Sequence, residues 1–169
     1  MGPQAIIISL KKRPESTMAD TAPKTATEIK FGDPASRIAQ TDHWTVLLRP
    51  KQPALGSLVL ICREPVRAFA DVSPQAYADM RDVVRRIEAT LREVVRYERI
   101  NYLMLMMVDP DVHFHVIPRY EGSRRFGDID FPDAGWPGPP MLDAAVSLDA
   151  ISSNALLTQL RAAWLRQTG

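Results

Sequence analysis

The chain has 169 residues, 46% of them hydrophobic, which is a one-domain length able to bury a sizeable apolar core. Its 21 basic residues nearly balance its 20 acidic residues, so no basic surface for duplex nucleic acid or an anionic membrane is indicated. A single cysteine excludes an intrachain disulfide, and no apolar run approaches the roughly 20 residues of a membrane span. We therefore expect a cytoplasmic protein with no nucleic-acid or membrane partner.

The first 30 residues are rich in Thr, Ala, Lys and Pro and show no sustained hydrophobic periodicity, which predicts a flexible N-terminal tail over residues 1–30. An apolar stretch at residues 5–10 precedes a basic cluster, whereas a secretory signal has the positive charge first. Both Met1 and Met18 are candidate initiators.

Two strands and a long helix are predicted next. The strands, Trp44–Arg49 and Ser57–Cys62, are separated by a Pro- and Gly-containing hairpin loop. Ser73 and Pro74 suit the N-cap and first position of a helix, and apolar residues then recur at three- and four-residue steps. An amphipathic helix is therefore predicted over Pro74–Tyr97.

The second half contains a further strand pair and a second helix. Tyr102–Val108 is nearly all apolar, which predicts a strand covered on both faces, and the following strand is expected to be its antiparallel neighbour. Residues 122–140 are rich in Gly, Pro and aromatics and predict a long ordered loop or an active-site cover, followed by a helix around Leu156–Trp164.

These elements predict an α+β fold: an antiparallel sheet of about five strands with one long packed helix and a C-terminal helix. We expect residues 31–121 to form the main domain. Residues 122–169 are expected to complete the same domain.

The segment Asp111–Tyr120 holds two of the three histidines within a strand-like run. Successive strand side chains point to opposite faces, so Asp111, His113 and His115 share one face and are about 6–7 Å apart per two-residue step. The intervening residues Val112, Phe114 and Val116 are expected to point into the core. Pro118 has no N–H for a ladder, so it is expected to end the strand or place it at an edge.

Three interpretations of this polar face compete. It is either a solvent-facing strand with ordinary histidines, a metal site, or a site of nucleophilic or acid–base chemistry. A metal site is disfavoured because neighbours on one strand seldom complete a tetrahedral shell and Cys62 is the only other soft donor. Imidazole titrates near neutrality and attacks electrophiles, so the third interpretation suits these residue types.

The flanking sequence favours the third interpretation, because it resembles the histidine-triad (HIT) family of nucleotide hydrolases and transferases. The family signature is His-x-His-x-His with two apolar residues after it, and here it reads Asp111, His113 and His115, then Val116, Ile117, Pro118 and Arg119. Upstream, 44–56, 57–62 and 64–66 resemble the first hairpin of the branch that holds the fragile histidine triad protein and dinucleoside polyphosphate hydrolases. The resemblance covers roughly residues 31–120.

The resemblance implies a chemical scheme. His113 would be the nucleophile towards phosphorus, with its other nitrogen bonded to the backbone carbonyl of position 111. His115 would bond a non-bridging phosphate oxygen. The products would be a nucleotidyl-histidine intermediate and then a nucleoside monophosphate, with no metal or cofactor required. The resemblance also implies a homodimer.

Two alternatives share this site. One is a nucleotidyl transferase or phosphorylase, in which another acceptor replaces water. The other is a nucleotide-binding protein with impaired turnover, because Asp111 replaces the first triad histidine and the loop before the motif is short.

The candidate site residues are therefore catalytic His113, His115 and Asp111, with no metal ligands. By the resemblance, Leu48 stands where the branch has an asparagine for the ribose, and Ser57 where it has a histidine. Arg119 is a candidate phosphate contact or a salt-bridge residue, since guanidinium binds phosphate through two N–H groups. Substitution of Asp111 by histidine is expected to raise activity, because it removes a carboxylate near an anionic substrate.

Overall fold

The computed structural model describes residues 23–167, which form an α+β fold built on a five-stranded antiparallel sheet. This confirms the predicted fold class. The helices are α1 (Ala26–Lys30), α2 (Pro74–Val95) and α3 (Ala150–Arg166). The strands of the main sheet, in spatial order, are β1 (Arg37–Gln40), β2 (Trp44–Leu48), β4 (Leu58–Cys62), β6 (His113–Arg119) and β5 (Arg99–Leu103). Two short pairs join β3 (Lys51–Gln52) to β9 (Val146–Ser147) and β7 (Ser123–Phe126) to β8 (Ile129–Pro132).

Helix α2 covers one face of the sheet. It begins as predicted, with the Ser73 side chain accepting a hydrogen bond from the Ala76 N–H and with proline in the first turn. It ends at Val95 rather than Tyr97, because Arg96 adopts the left-handed conformation with φ of 55° and breaks the helical ladder. Its apolar stripe packs into one core with strand side chains and α3; this core includes Val83, Ile87, Leu91, Leu60, Val116, Leu156 and Leu160.

Strand β5 differs from the prediction. The predicted strand Tyr102–Val108 is wrong, because the ladder with β6 runs from Arg99 opposite Arg119 to Leu103 opposite His115. Beyond Leu103 the chain turns away, leaving Met107 95% and Val108 80% exposed. The apolar run therefore marks a turn at the sheet edge, whereas the antiparallel pairing with the motif strand is confirmed.

Pro118 lies inside β6, which is not an edge strand, so the expectation that it ends or exposes the strand is wrong. The Arg119 carbonyl accepts from the Glu98 N–H on the β5 side, which directs the backbone of Pro118 towards the β4 side. The β4 ladder already stops at Leu58 opposite Val116. Proline is tolerated here because no partner strand requires its missing N–H.

The tail predicted over residues 1–30 is wrong for its last part, while residues 1–22 lie outside the described residues. Residues Ala26–Lys30 form α1, which begins with a reciprocal capping box between Thr25 and Glu28. Thr27 and Glu28 are buried against the rest of the protein. Tertiary contacts rather than hydrophobic periodicity hold this five-residue helix, since so short a helix is not stable alone.

Gly56 provides a test of how tightly the β2–β4 loop packs on α2. Its φ is +80°, and an added Cβ would lie 2.6 Å from Val95 Cγ2. We predict that Gly56→Ala lowers the free energy of unfolding by about 3 kcal/mol, from overpacking plus left-handed strain. Gly122 is the matched control, because its φ is +74° and nothing lies within 4 Å of its added Cβ. Urea unfolding should show a loss of only about 1 kcal/mol for Gly122→Ala, and equal losses would contradict the packing argument.

Candidate active site

Strand β6 places the two motif histidines on one face, as predicted. His113 lies opposite Ile61 and His115 opposite Val59 on β4. The alternate residues Val112, Phe114 and Val116 belong to the core on the other face, as expected. On the histidine face, Leu47, Val59 and Ile61 form a small apolar cluster against which Phe31 packs. The histidines are therefore not solvent-facing strand residues.

The ring of His113 is held in one tautomer. Its Nδ1 lies 2.7 Å from the backbone oxygen of Asp111, and because a carbonyl only accepts, Nδ1 donates the hydrogen. Nε2 of the neutral ring then keeps a free lone pair. Nε2 is buried and has no hydrogen-bond partner within residues 23–167. The backbone bond that the resemblance implied is confirmed, and it leaves a nitrogen suited to nucleophilic attack.

His115 stands beside His113, with ring centroids 5.2 Å apart and planes nearly perpendicular. Its Nδ1 is also buried and has no partner in the described part of the chain. Burial, followed by electrostatic interaction with His113 and Arg49, lowers the pKa of His115 from 6.5 to about 4. The imidazole is therefore neutral near pH 7, and it presents one donor and one acceptor nitrogen.

Helix α1 and Phe31 cover the histidines. The Phe31 ring centroid lies 5.8 Å from that of His115 and 6.5 Å from that of His113. Lys30 Nζ reaches both carboxylate oxygens of Asp109, at 2.6 and 2.8 Å. The Thr45 hydroxyl on β2 donates to Glu28 at 2.6 Å. This segment seals His113, which is 0% exposed.

Asp111, in the first position of the motif, has two separate contacts. Its backbone oxygen accepts from His113, while its side-chain Oδ2 accepts from the Thr27 N–H at 3.1 Å and the Thr27 hydroxyl at 2.7 Å. The carboxylate thus lies at the N-terminal turn of α1, where the helix dipole favours negative charge. The expected gain from Asp111→His does not follow from this arrangement, since that substitution removes both side-chain contacts to α1.

Arg119 is not available to a substrate in this structure. Its guanidinium pairs with both carboxylate oxygens of Asp133, at 2.7 and 3.1 Å, and also donates to Asn101 and the Gly138 carbonyl. The side chain is buried, so these partners satisfy nearly all of its donors. Its assignment as a substrate-binding residue is corrected to the salt-bridge alternative, which fixes the 133–138 loop to β6.

Leu48 and Ser57 do not join the histidines either. Leu48 pairs with Leu58 and belongs to the apolar core on the opposite face of the sheet, so its assignment as a substrate contact is wrong. Ser57 is fully buried, and its hydroxyl donates to the Ala54 carbonyl at 2.6 Å within the β2–β4 loop. Its side chain stabilises the turn.

Sequence reasoning missed three residues near the site: Thr27, Phe31 and Arg49. The spacing of Thr25 and Glu28 is a capping-box signal that would have placed α1, although not its contact with Asp111. Counting in steps of two from Leu47 would have placed Arg49, rather than Leu48, on the histidine face. Nothing in the local pattern around Phe31 indicates that it packs on residues about 80 positions later.

The described residues contain neither a metal-binding cluster nor a membrane-spanning helix. No group of three or more His, Cys, Asp or Glu side chains there is arranged to hold a metal ion. Within the same residues, every helix is too short or too polar to cross a bilayer.

The lowered pKa of His115 predicts a pH dependence of stability. Between pH 6.5 and about 4 the unfolded chain binds a proton at this residue while the folded chain does not. The free energy of unfolding contributed by His115 is therefore complete above pH 6.5 and is lost as the pH falls towards 4. Urea unfolding across this range should show a shallower decline for His115→Asn than for the parent. His43→Asn, at a partly exposed histidine, is the control, and parallel curves for all three proteins would refute the assignment.

The contact between Asp111 and Thr27 predicts a coupled loss of stability. Asp111→Ala should lower the free energy of unfolding by about 2 kcal/mol, because it removes two hydrogen bonds to a charged acceptor. Combined with Thr27→Val, it should give a coupling energy of about 1 kcal/mol in a double-mutant cycle. Asp128→Ala is the control, since that side chain is fully exposed. Strict additivity of the two substitutions would contradict the contact.

Comparison with known proteins identifies the family to which this chain belongs. The HIT domain family matches residues 31–122, which is more than half of the chain. A search of curated proteins found no match.

Among solved structures, a HIT protein from Sinorhizobium meliloti has a TM-score of 0.66 and 19% identity, covering 84% of this chain and 96% of that chain. A histidine triad protein from Bradyrhizobium japonicum has a TM-score of 0.60 and 23% identity, covering 75% and 87%. A zinc-bound histidine triad family protein from Mycobacterium smegmatis has a TM-score of 0.55 and 20% identity, covering 83% and 91%. These low identities bear on the fold alone, whereas the domain match shows that this chain belongs to the HIT family.

Proposed function

We propose that this protein hydrolyses nucleoside phosphoanhydrides, such as a dinucleoside polyphosphate, through a covalent intermediate on His113. The observation that carries the proposal is the hydrogen bond from His113 Nδ1 to the Asp111 carbonyl. In the neutral ring, that bond leaves the lone pair on the opposite nitrogen, which has no partner among residues 23–167. A neutral imidazole with one nitrogen fixed by a carbonyl is the activated form of a histidine nucleophile.

In the first step, His113 Nε2 attacks the α-phosphorus of the bound nucleotide. A nitrogen–phosphorus bond forms while the bond from phosphorus to the bridging oxygen breaks, and the leaving phosphate takes the electron pair. His115 stands beside the attacking ring and is neutral, so it donates one N–H to a non-bridging oxygen. Such a donor contributes most in the transition state, where negative charge on that oxygen grows.

In the second step, water attacks the same phosphorus. The new oxygen–phosphorus bond replaces the nitrogen–phosphorus bond, whose electron pair returns to Nε2, and a proton of the water is released to solvent. The products are a nucleoside monophosphate and neutral His113. An acceptor other than water at this step would make the protein a nucleotidyl transferase or phosphorylase, because the covalent intermediate is the same. The hydrolase of the fragile histidine triad branch is the form that we favour, on the hairpin resemblance.

A nucleotide-binding protein with impaired turnover is the second candidate function. The burial of His113 favours it, since the nucleophile is 0% exposed beneath Phe31 and α1. Turnover requires a substrate to reach Nε2 of His113. The two candidate functions therefore differ in whether Phe31 and α1 move aside when the substrate binds. Detection of a covalent adduct separates the two.

We predict that His113→Ala lowers the rate of dinucleoside polyphosphate hydrolysis by at least about a thousandfold, because it removes the nucleophile. His43→Ala is the matched control, since that histidine pairs with Glu64 away from the motif strand. It should retain the parental rate. Rapid quenching of the parent with labelled substrate should trap a phosphorus–nitrogen adduct that His113→Ala lacks.

Activity of His113→Ala within tenfold of the parent would reject covalent catalysis. An active parent with no trapped adduct would leave a direct attack by water as the mechanism. A parent that binds the nucleotide and turns over none of it would favour the second candidate function.

We also propose that the protein is a homodimer in the cytoplasm. Strand β5 is an edge of the main sheet, and the turn after it exposes Met104, Leu105 and Met107. Pairing of two such edges would cover these apolar side chains. Light scattering at micromolar concentration should give twice the chain mass, and a monomer mass would contradict this proposal. The single cysteine, Cys62, is free and buried, which suits a reducing compartment.

A further inference from the structure

Arg49 follows directly on β2 and lies on the histidine face. Its N–H donates to the Ser57 carbonyl at 3.0 Å, which extends the β2–β4 pairing by one residue beyond Leu48 opposite Leu58. Since Leu48 points into the core, the alternation of strand side chains turns Arg49 to the other face, with Leu47. Leu47 pairs with Val59, and Val59 with His115.

This register places Arg49 on the same face of the sheet as His115. The backbone of Arg49 lies two strands from His115, about 10 Å away, and one two-residue step along, about 7 Å. A long arginine side chain spans much of that separation. Consistent with this position, the charge of Arg49 contributes to the lowered pKa of His115.

Arg49 has no counter-charge among residues 23–167. Its Nη1 donates to the Lys51 carbonyl, while its Nε is buried and has no hydrogen-bond partner there. No carboxylate in the described part of the chain forms an ion pair with it, and burial lowers its pKa. Arg119 offers the contrast, because that buried guanidinium is paired with Asp133 through two oxygens.

A half-buried cation without a counter-charge is costly, which makes such a residue a candidate for binding the anion of a ligand. His115 is neutral near pH 7, so Arg49 is the group on this side of the site that attracts negative charge. Lys30, the other cation near His115, is already bound to Asp109. The anion expected here presents two oxygens side by side, as a phosphoryl group does, and a guanidinium binds such a pair through two N–H groups.

We propose that Arg49 binds a second phosphoryl group of the substrate, next to the phosphoryl group held at His113 and His115. The inference rests on the proposed function and names the side chain that holds the second phosphoryl group of the phosphoanhydride. One phosphoryl group meets the histidines on β6, and the other meets Arg49 across β4. Arg49 is therefore a determinant of phosphate-chain length.

The test is the binding of inorganic pyrophosphate and inorganic phosphate, followed through the histidine NMR signals of the labelled full chain. The parent should bind pyrophosphate about tenfold more tightly than phosphate, and Arg49→Gln should weaken pyrophosphate binding by about tenfold and remove that preference. Arg125→Gln is the control, because Arg125 is exposed beside Asp128. It should bind both anions as the parent does.

Arg49→Lys keeps the charge and loses the planar fork, so it should fall between the parent and Arg49→Gln. It also serves if Arg49→Gln does not fold, which thermal unfolding reports. Pyrophosphate affinity of a folded Arg49 variant within twofold of the parent would overturn the proposal, as would a parent with no preference between the two anions.

This outcome is separate from the proposed function. Pyrophosphate has no nucleoside, and its binding requires no turnover. A chain that binds it through Arg49 but forms no adduct with a nucleotide would retain this inference and lose the hydrolase. A chain that hydrolyses nucleotides with Arg49→Gln unaffected would do the reverse.

Discussion

Burial of β6 on both faces is the constraint on which the rest of the structure depends. All seven residues from His113 to Arg119 are buried, although the strand carries two imidazoles and a guanidinium. The apolar side chains of β6 meet this constraint by packing in the core with α2, as in any central strand. A buried polar group without a partner costs free energy. His113 Nδ1 and Arg119 have partners, whereas His113 Nε2 and His115 Nδ1 have none within residues 23–167. The Asp111 carbonyl and the Asp133 carboxylate supply the partners that are present.

The two arginines near the sheet illustrate the two ways of meeting that cost. Asp133 neutralises the charge of Arg119. This ion pair forms when the chain folds, and it fixes a loop to the strand. Arg49 has no carboxylate within the described residues, so the folded chain retains a cation that a ligand can neutralise. The first arrangement stabilises the protein in isolation. In the second arrangement, the charge of Arg49 is neutralised only when an anionic ligand binds, so the ion pair stabilises the complex rather than the free protein. A binding site differs from a structural ion pair in this respect.

Period-two alternation allowed the centre of the site to be predicted from sequence. It placed His113 and His115 together and sent Phe114 into the core, because a central strand repeats strictly. The fold class followed from the same patterns plus the capped helix at Ser73. By contrast, β5 was displaced because its edge position lets polar residues pair while apolar residues turn outwards. Arg119 was misassigned because the residue type does not reveal Asp133 fourteen positions later.

Local sequence patterns could not predict that α1 and Phe31 cover the histidines. Helix α1 is too short to have a hydrophobic period, and it is held by contacts to residues far along the chain. Thr27 and Asp111 are 84 positions apart, and neither is unusual in its own segment. Only the folded chain shows that the polar residue at the head of the motif serves a helix near the other end of the sequence.

That contact couples the two positions energetically. A histidine at position 111 cannot accept both hydrogen bonds that Asp111 receives from Thr27, and a valine at position 27 would leave the carboxylate with one donor fewer. Each substitution alone is therefore penalised, whereas a joint change is tolerated. In relatives with an aspartate at the head of the motif, a hydroxyl residue should recur in the first turn of α1. In those with a histidine there, position 27 should be free to vary.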